Sequence, residues 1–235
     1  MNEFQLVIFD CDGVLVDSEL ITNRVFVEML NELGIPVTLE YMFEYFVGRS
    51  MVHCHALISE MLMRPIPDTF AEDYRTRTTQ ALESQLKAVP GIEATLDAIG
   101  SIGVPYCVAS SGSHEKMRTT LGITGLLARF DGKLFSVTEV PRGKPAPDVF
   151  LHAASRHGVP ASVCCVIEDT PTGVAAGVAA GMTVYGYCAL TPGCRLLEAG
   201  AHQTFSDMRE LPSLLFGTGR PGDGERWPSL PPPSR

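Results

Sequence analysis

The stretch FDCDGVLVDSE, residues 9–19, carries three aspartates and a glutamate, the first directly after the apolar run LVIF. Carboxylates this close repel one another, so they either cap and end local structure or await a cation. Three further segments deliver groups of related use. YCVA runs into Ser110, Ser111, Gly112 and Ser113, VCCVI runs into Glu168 and Asp169, and RGKPAPD between them holds Lys144 in a proline-bounded loop. Together these groups suit phosphoryl transfer. Asp10, Asp169 and Glu168 offer the hard oxygen ligands that Mg²⁺ takes. Asp10 can attack phosphorus to give an aspartyl-phosphate, while Asp12 can protonate the leaving oxygen and then activate water. Ser110 and the backbone N–H groups of Ser111 and Gly112 can hold phosphate oxygens, and Lys144 adds a positive charge beside the nucleophile. Each acid alone has a plain structural reading, Asp169 before TPTG as a helix cap for example. Their convergence from four segments is what favours chemistry.

Such convergence requires a fold that brings several strand ends to one edge. Residues 4–10 read as a buried strand ended by a turn at Gly13. Residues 18–88 read as helical throughout: SELITNRVFVEMLNELG has Ser18 as a candidate N-cap, Ile21, Val25, Met29 and Leu33 at helical spacing, and Gly34 to end it. From residue 89 short apolar strands alternate with helices, with strands at PYCVAS, near 133–136, at SVCCVIED and at MTVYGY, and a last helix near 207–215. This pattern predicts an α/β fold, a doubly wound parallel sheet with a Rossmann-like core, interrupted after its first strand by an inserted all-helical cap domain. The expected division is core at 1–17 and 89–216, cap at 18–88, and a disordered tail at 217–235, where nine of nineteen residues are Gly or Pro. In such sheets ligands bind beyond the carboxyl ends of the strands, which is where these acids stand.

Bulk properties narrow the partners. The chain has 235 residues, 45% hydrophobic and 19% charged, with a formal charge of −9. That balance argues against nucleic acid, which rewards clustered Lys and Arg. No apolar run approaches the ~20 residues that span a bilayer. The N-terminus has no basic n-region, so the expectation is a cytoplasmic protein with no membrane partner. The seven cysteines lack zinc-ribbon spacing, and most sit in strand-like runs as reduced core thiols. A monomer is the default expectation. An acidic chain acting on an anionic metabolite needs local positive charge, which a bound Mg²⁺ would supply.

The motifs DCDGVLVDSE (10–19), the strand ending in Ser110, GKPAPD (143–148) and IEDTPTG (167–173) resemble those of the haloacid dehalogenase-like hydrolase superfamily. The insertion after the first motif looks like the helical cap of its group with β-phosphoglucomutases and small sugar-phosphate phosphatases. The resemblance implies a Mg²⁺-dependent enzyme with Asp10 as nucleophile, Asp12 as acid/base, and the Asp12 backbone carbonyl in the metal site. It disfavours the dehalogenase branch, which lacks an acid at the place of Asp12. The mutases typically carry a histidine three residues after the glutamate of the first motif, where Thr22 stands here. The details look most like bacterial sugar-acid phosphatases, so the expected substrate is a small phosphorylated sugar or sugar acid, with 6-phosphogluconate as a refinement. A phosphomutase on the same scaffold and a phospho-acceptor signalling module are the alternatives, the latter disfavoured by Asp12 and the insertion.

Several residues admit two readings. Arg49, in FVGRSM, is either a clamp for a second anionic group or a surface residue beside a turn. His114 either contacts substrate or merely starts a helix. Ser18 and Glu19 belong to a hinge or cap, or reach the substrate. His53 and His55, two apart on a helix, point to different sides and do not suit one metal ion. Cys11 should turn into the core, Asp17 brace the hinge, and Asp148 brace the loop that holds Lys144.

Overall fold

Leu6–Phe9, four consecutive buried residues, form β1, the first strand of a parallel six-stranded sheet of order β3-β2-β1-β4-β5-β6. The structure, a computed structural model, describes residues 4–46 and 51–217. The other strands are β2 (Tyr106–Ser110), β3 (Leu134–Ser136), β4 (Cys164–Glu168), β5 (Thr183–Tyr187) and β6 (Gln203–Phe205). Burial on both faces explains why the strands are apolar without alternation. Val7, Phe9, Cys165 and Ile167 belong to the core on one face, and Leu6, Ile8, Cys164 and Val166 to that on the other, as the two-residue side-chain period requires. The first core is covered by α5 (Ile92–Ile102), α6 (His114–Ile123) and α10 (Leu211–Phe216), the second by α7 (Asp148–His157), α8 (Pro171–Ala179) and α9 (Gly193–Glu198).

Register positions the chemistry. Phe9 lies opposite Val108 on one side and Ile167 on the other. The next residues, Asp10, Ala109 and Glu168, therefore emerge side by side, where the strand order reverses about β1. That is the switch point at which an open α/β sheet leaves a crevice.

Between β1 and α5 come α1 (Glu19–Glu32), α2 (Leu39–Tyr45), α3 (Met51–Leu62) and α4 (Phe70–Gln85), with no strand among the described residues from 18 to 87. They share an apolar cluster of their own that includes Phe26, Leu30, Phe46, Ile58 and Phe70. Phe26 meets Phe46, Phe70 and Tyr74 edge to face, with centroids 5.9, 5.7 and 5.1 Å away. The chain enters and leaves this block through adjacent antiparallel segments. Asp17 N–H donates to the Lys87 carbonyl at 2.9 Å, Val89 N–H to the Leu15 carbonyl at 3.0 Å, and Val16 bridges Ala88.

Three local expectations need revision. Ser18 occupies the N-cap position of α1 but makes no capping hydrogen bond; its hydroxyl is engaged elsewhere, as described below. β6 and α9 were not foreseen, because three and six residues are too short to show a period. The last helical segment begins as a 3₁₀ turn, Met208–Glu210, before α10. The tail from 218 lies outside the described residues.

Candidate active site

Lys144 is the hub of the site. Its ammonium donates to Asp10 Oδ1 at 2.6 Å, to Glu168 Oε1 at 2.7 Å and to the Ala109 carbonyl at 3.0 Å. All three of its N–H bonds are thus directed, with the side chain 3% exposed and lying over the Phe150 ring. Burial works to lower its proton affinity, but Asp10 and Glu168 outweigh that and raise its pKa above the lysine norm. The loop carrying it is braced as foreseen: Asp148 accepts from Arg142 Nε at 3.2 Å and Nη2 at 2.9 Å.

Asp10 follows β1 and is buried. One oxygen is fixed by Lys144, and no described donor holds the other, so a nucleophilic lone pair remains open. Burial pushes this carboxyl up to about 7; Lys144 opposes the shift and Glu168 and Asp12 add to it. Gly13 makes the turn that follows, with φ +80°. A Cβ there would lie 2.1 Å from Asp169 Oδ2, so only glycine lets the two segments approach.

Glu168 and Asp169 end β4 and have different surroundings. Glu168 Oε2 accepts from Asp169 N–H at 3.0 Å, Thr170 N–H at 3.1 Å and Thr170 Oγ1 at 3.0 Å, while Oε1 holds Lys144. Thr170 in turn caps α8 by accepting from Gly173 N–H at 3.1 Å. A Cβ on Gly173 would sit 1.8 Å from Glu168 Oε1. Asp169 is 6% exposed, and no described group donates a hydrogen bond to its carboxylate. Burial first, then Glu168, Asp10 and Glu19, hold its pKa well above the usual carboxylate range. Two crowded carboxylates with open oxygens, on Asp10 and Asp169, fit a hard divalent cation. Glu168 has its oxygens engaged by Lys144 and the start of α8. Among the described residues no group of three or more His, Cys, Asp or Glu side chains is arranged to hold a metal. Asp10 and Asp169 thus keep oxygens open, while those of Glu168 and Asp12 are engaged by hydrogen-bond donors.

Asp12 is gripped on both oxygens. Ser18 Oγ donates to Oδ1 at 2.6 Å and Lys116 Nζ to Oδ2 at 2.7 Å. At the end of β2, Ser110 is buried and its hydroxyl accepts from Gly112 N–H at 3.0 Å, so that N–H already has a partner. Ser136 Oγ fixes the Gly112 carbonyl at 2.7 Å, and Ser113 caps α6 by accepting from Lys116 N–H at 3.2 Å. Cys11 turns into the core as expected, its thiol 3.9 Å from Thr120 Oγ1.

A cavity of about 1220 Å³ joins this edge to the helical block; Asp10, Asp12, Ser110, Ser111, Gly112 and Lys144 line one side, and Thr22, Asn23 and Tyr74 the other. His114 is not part of it. Its Nε2 lies 2.8 Å from Glu139 Oε2, in a separate hollow with Arg118 and His152. The reason is that His114 begins α6 and faces β3, whereas Lys116, two positions on, faces the cavity. His114 is thus placed beside Glu139 and outside the cavity that Asp10 and Lys144 line. Arg49 lies outside the described residues. Sequence reasoning passed over Lys116 and the Ser18 contact to Asp12; the signal was a lysine three residues past the Ser113 cap, in the first turn after the phosphate-holding loop.

The family model for haloacid dehalogenase-like hydrolases matches residues 4–181. A 6-phosphogluconate phosphatase of Escherichia coli (strain K12) is 35% identical over 220 residues, covering 93% of this chain and 98% of that one. A solved haloacid dehalogenase-like protein from Agrobacterium tumefaciens superposes with a TM-score of 0.83 at 32% identity, covering 90% of this chain and 97% of that one. A family hydrolase from Deinococcus radiodurans R1, solved with bound phosphate and sodium, gives 0.81 at 31% identity, with 92% and 96% covered.

Proposed function

The chain belongs to the haloacid dehalogenase-like hydrolase family, and from that premise we propose that it is a Mg²⁺-dependent phosphatase of a small phosphorylated sugar or sugar acid, acting through an aspartyl-phosphate on Asp10. The observation that carries this reading is the Lys144 ammonium held between Asp10 and Glu168, which fixes one oxygen of Asp10 and leaves the other free to attack. The likeness over nearly its whole length to a 6-phosphogluconate phosphatase supports the substrate class.

When bound between Asp10 and Asp169, Mg²⁺ would offset the crowding of acids and the charge of the phosphoryl group. Asp10 attacks phosphorus, and the leaving oxygen takes a proton from Asp12. Ser110, whose oxygen accepts from Gly112 N–H, donates its hydroxyl proton to an equatorial oxygen, while Lys144 places its charge beside the nucleophile and Glu168 keeps the ammonium aimed. Asp12 then takes a proton from the water that hydrolyses the aspartyl-phosphate. We read the helices of 18–88 as a cap whose closure excludes bulk water from that intermediate. Thr22 lines the cavity where an imidazole would serve a mutase, so hydrolysis is the favoured outcome.

The test is phosphate release from 6-phosphogluconate, hexose phosphates and β-glucose 1-phosphate, with Mg²⁺ and with EDTA. The expected result is Mg²⁺-dependent release that Asp10→Asn abolishes without loss of fold. Conversion of β-glucose 1-phosphate to glucose 6-phosphate without phosphate release would instead identify a mutase, and normal turnover by Asp10→Asn would refute the mechanism.

A further inference from the structure

Asp12 must approach the leaving oxygen, yet each of its oxygens already faces a donor. Ser18 Oγ lies 2.6 Å from Oδ1 and Lys116 Nζ 2.7 Å from Oδ2. The two donors differ in freedom. Ser18 is 1% exposed at the start of α1 and has nowhere to go. Lys116 ends a flexible four-carbon stem with its side chain 43% exposed on the cavity wall, so it is the donor that substrate can displace. Its stem crosses the phosphate-holding loop: a Cβ on Gly112 would meet Lys116 Cδ at 3.3 Å and Ser110 Oγ at 3.4 Å. The stem thus lies against that loop and carries the ammonium to Asp12 on the wall of the cavity.

A lysine leaves a carboxylate readily only for another anion. Besides Asp12, the acidic neighbour that acts on it from α1 is Glu19, which already has Asn23 at 3.4 Å. We propose that Lys116 is a specificity-determining and positioning residue that exchanges Asp12 for a carboxylate or second phosphate on the non-reacting end of the substrate. A substrate with a second anionic group thereby frees its own acid/base, whereas a sugar phosphate with none must displace the lysine with nothing to receive it. This rests on the phosphatase reading and names the feature by which that site would choose its substrate.

The discriminating pair is 6-phosphogluconate and glucitol 6-phosphate, which differ by a carboxylate against a hydroxymethyl group. With the full chain and Mg²⁺, Lys116→Met should lower the ratio of kcat/KM for the acid over the alcohol by ~10-fold or more, a loss of ~1.4 kcal/mol in discrimination, and Lys116→Arg should restore most of it. An equal fall for both esters, as from a merely structural role, overturns the inference, as does a wild type with no preference. Calorimetric binding of the two esters to Asp10→Asn, with and without Lys116→Met, separates this from the phosphatase reading. Selective binding lost with Lys116 but no phosphate release from any ester would refute only the phosphatase reading; release with selectivity indifferent to Lys116 would refute only the inference.

Discussion

Glu168 shows how one carboxylate serves two ends of a site. Its Oε1 aims Lys144, while its Oε2 gathers Asp169 N–H and both Thr170 donors at the start of α8. Glutamine in its place would have to turn an NH₂ group toward either the ammonium or those donors. Glu168→Gln is therefore expected to lower kcat about a hundredfold with a smaller change in KM, and to destabilise the fold by about 3–5 kcal/mol, the range for breaking a buried ion pair. Steady-state kinetics and denaturant melts would read both, and an unchanged kcat would remove Glu168 from the positioning of Lys144. At this scale the sequence pointed to which acids converge but not to what holds each of them. Asp10, Asp12, Glu168 and Asp169 stand at or just past strand ends and Lys144 in a proline-bounded loop, placements that follow from pattern. That Glu168 is engaged by backbone N–H groups, and that Lys116 and Ser18 hold Asp12, depends on side-chain directions set by long-range packing.

At the scale of elements, the helical block rests on few aromatic contacts. α1 carries Phe26 into the centre of a ring set contributed by Phe46, Phe70 and Tyr74, and the block's core is a cluster distinct from the two that flank the sheet. Phe26→Ala should cost about 3–5 kcal/mol, and the loss should fall on the helices before the sheet. Hydrogen exchange would show early loss of protection across α1 to α4 with β1, β2 and β4 still protected. Uniform loss over the whole chain would mean that the block has no local stability of its own. The sheet was legible because a strand buried on both faces is a short unbroken apolar run, as in LVIF and CCVIE, and the helices because Ile21, Val25 and Met29 repeat at helical spacing. β6 and α9 escaped because their burial comes from neighbours: Phe205 joins one core and Leu196 the other, each as a single anchoring residue.

For the whole molecule, crowded acids at the head of β1 and β4 link stability to pH and to metal. Asp10 rises to about 7 and Asp169 is likewise held well above the carboxylate norm, burial being the main cause in both. Between the unfolded value near 3.8 and the folded one, the native chain binds more protons than the unfolded chain. Unfolding free energy from these groups therefore falls as pH rises through that window, which for Asp10 ends near pH 7. A divalent cation does there what protons do at lower pH, since it binds the native arrangement and not the unfolded chain, and stabilises by RT ln(1 + [L]/Kd). The thermal midpoint in EDTA should thus drop between pH 5 and pH 8, and Mg²⁺ should raise it by more at pH 8 than at pH 5, where protons compete for the same oxygens. Asp169→Asn removes one of the crowded charges, so it should raise the midpoint in EDTA at pH 8 and shrink the Mg²⁺ response together. A Mg²⁺ response in that variant equal to the wild type's would place the ion elsewhere, and a midpoint in EDTA that does not fall with pH would mean that the acids at the strand ends are not the groups being crowded.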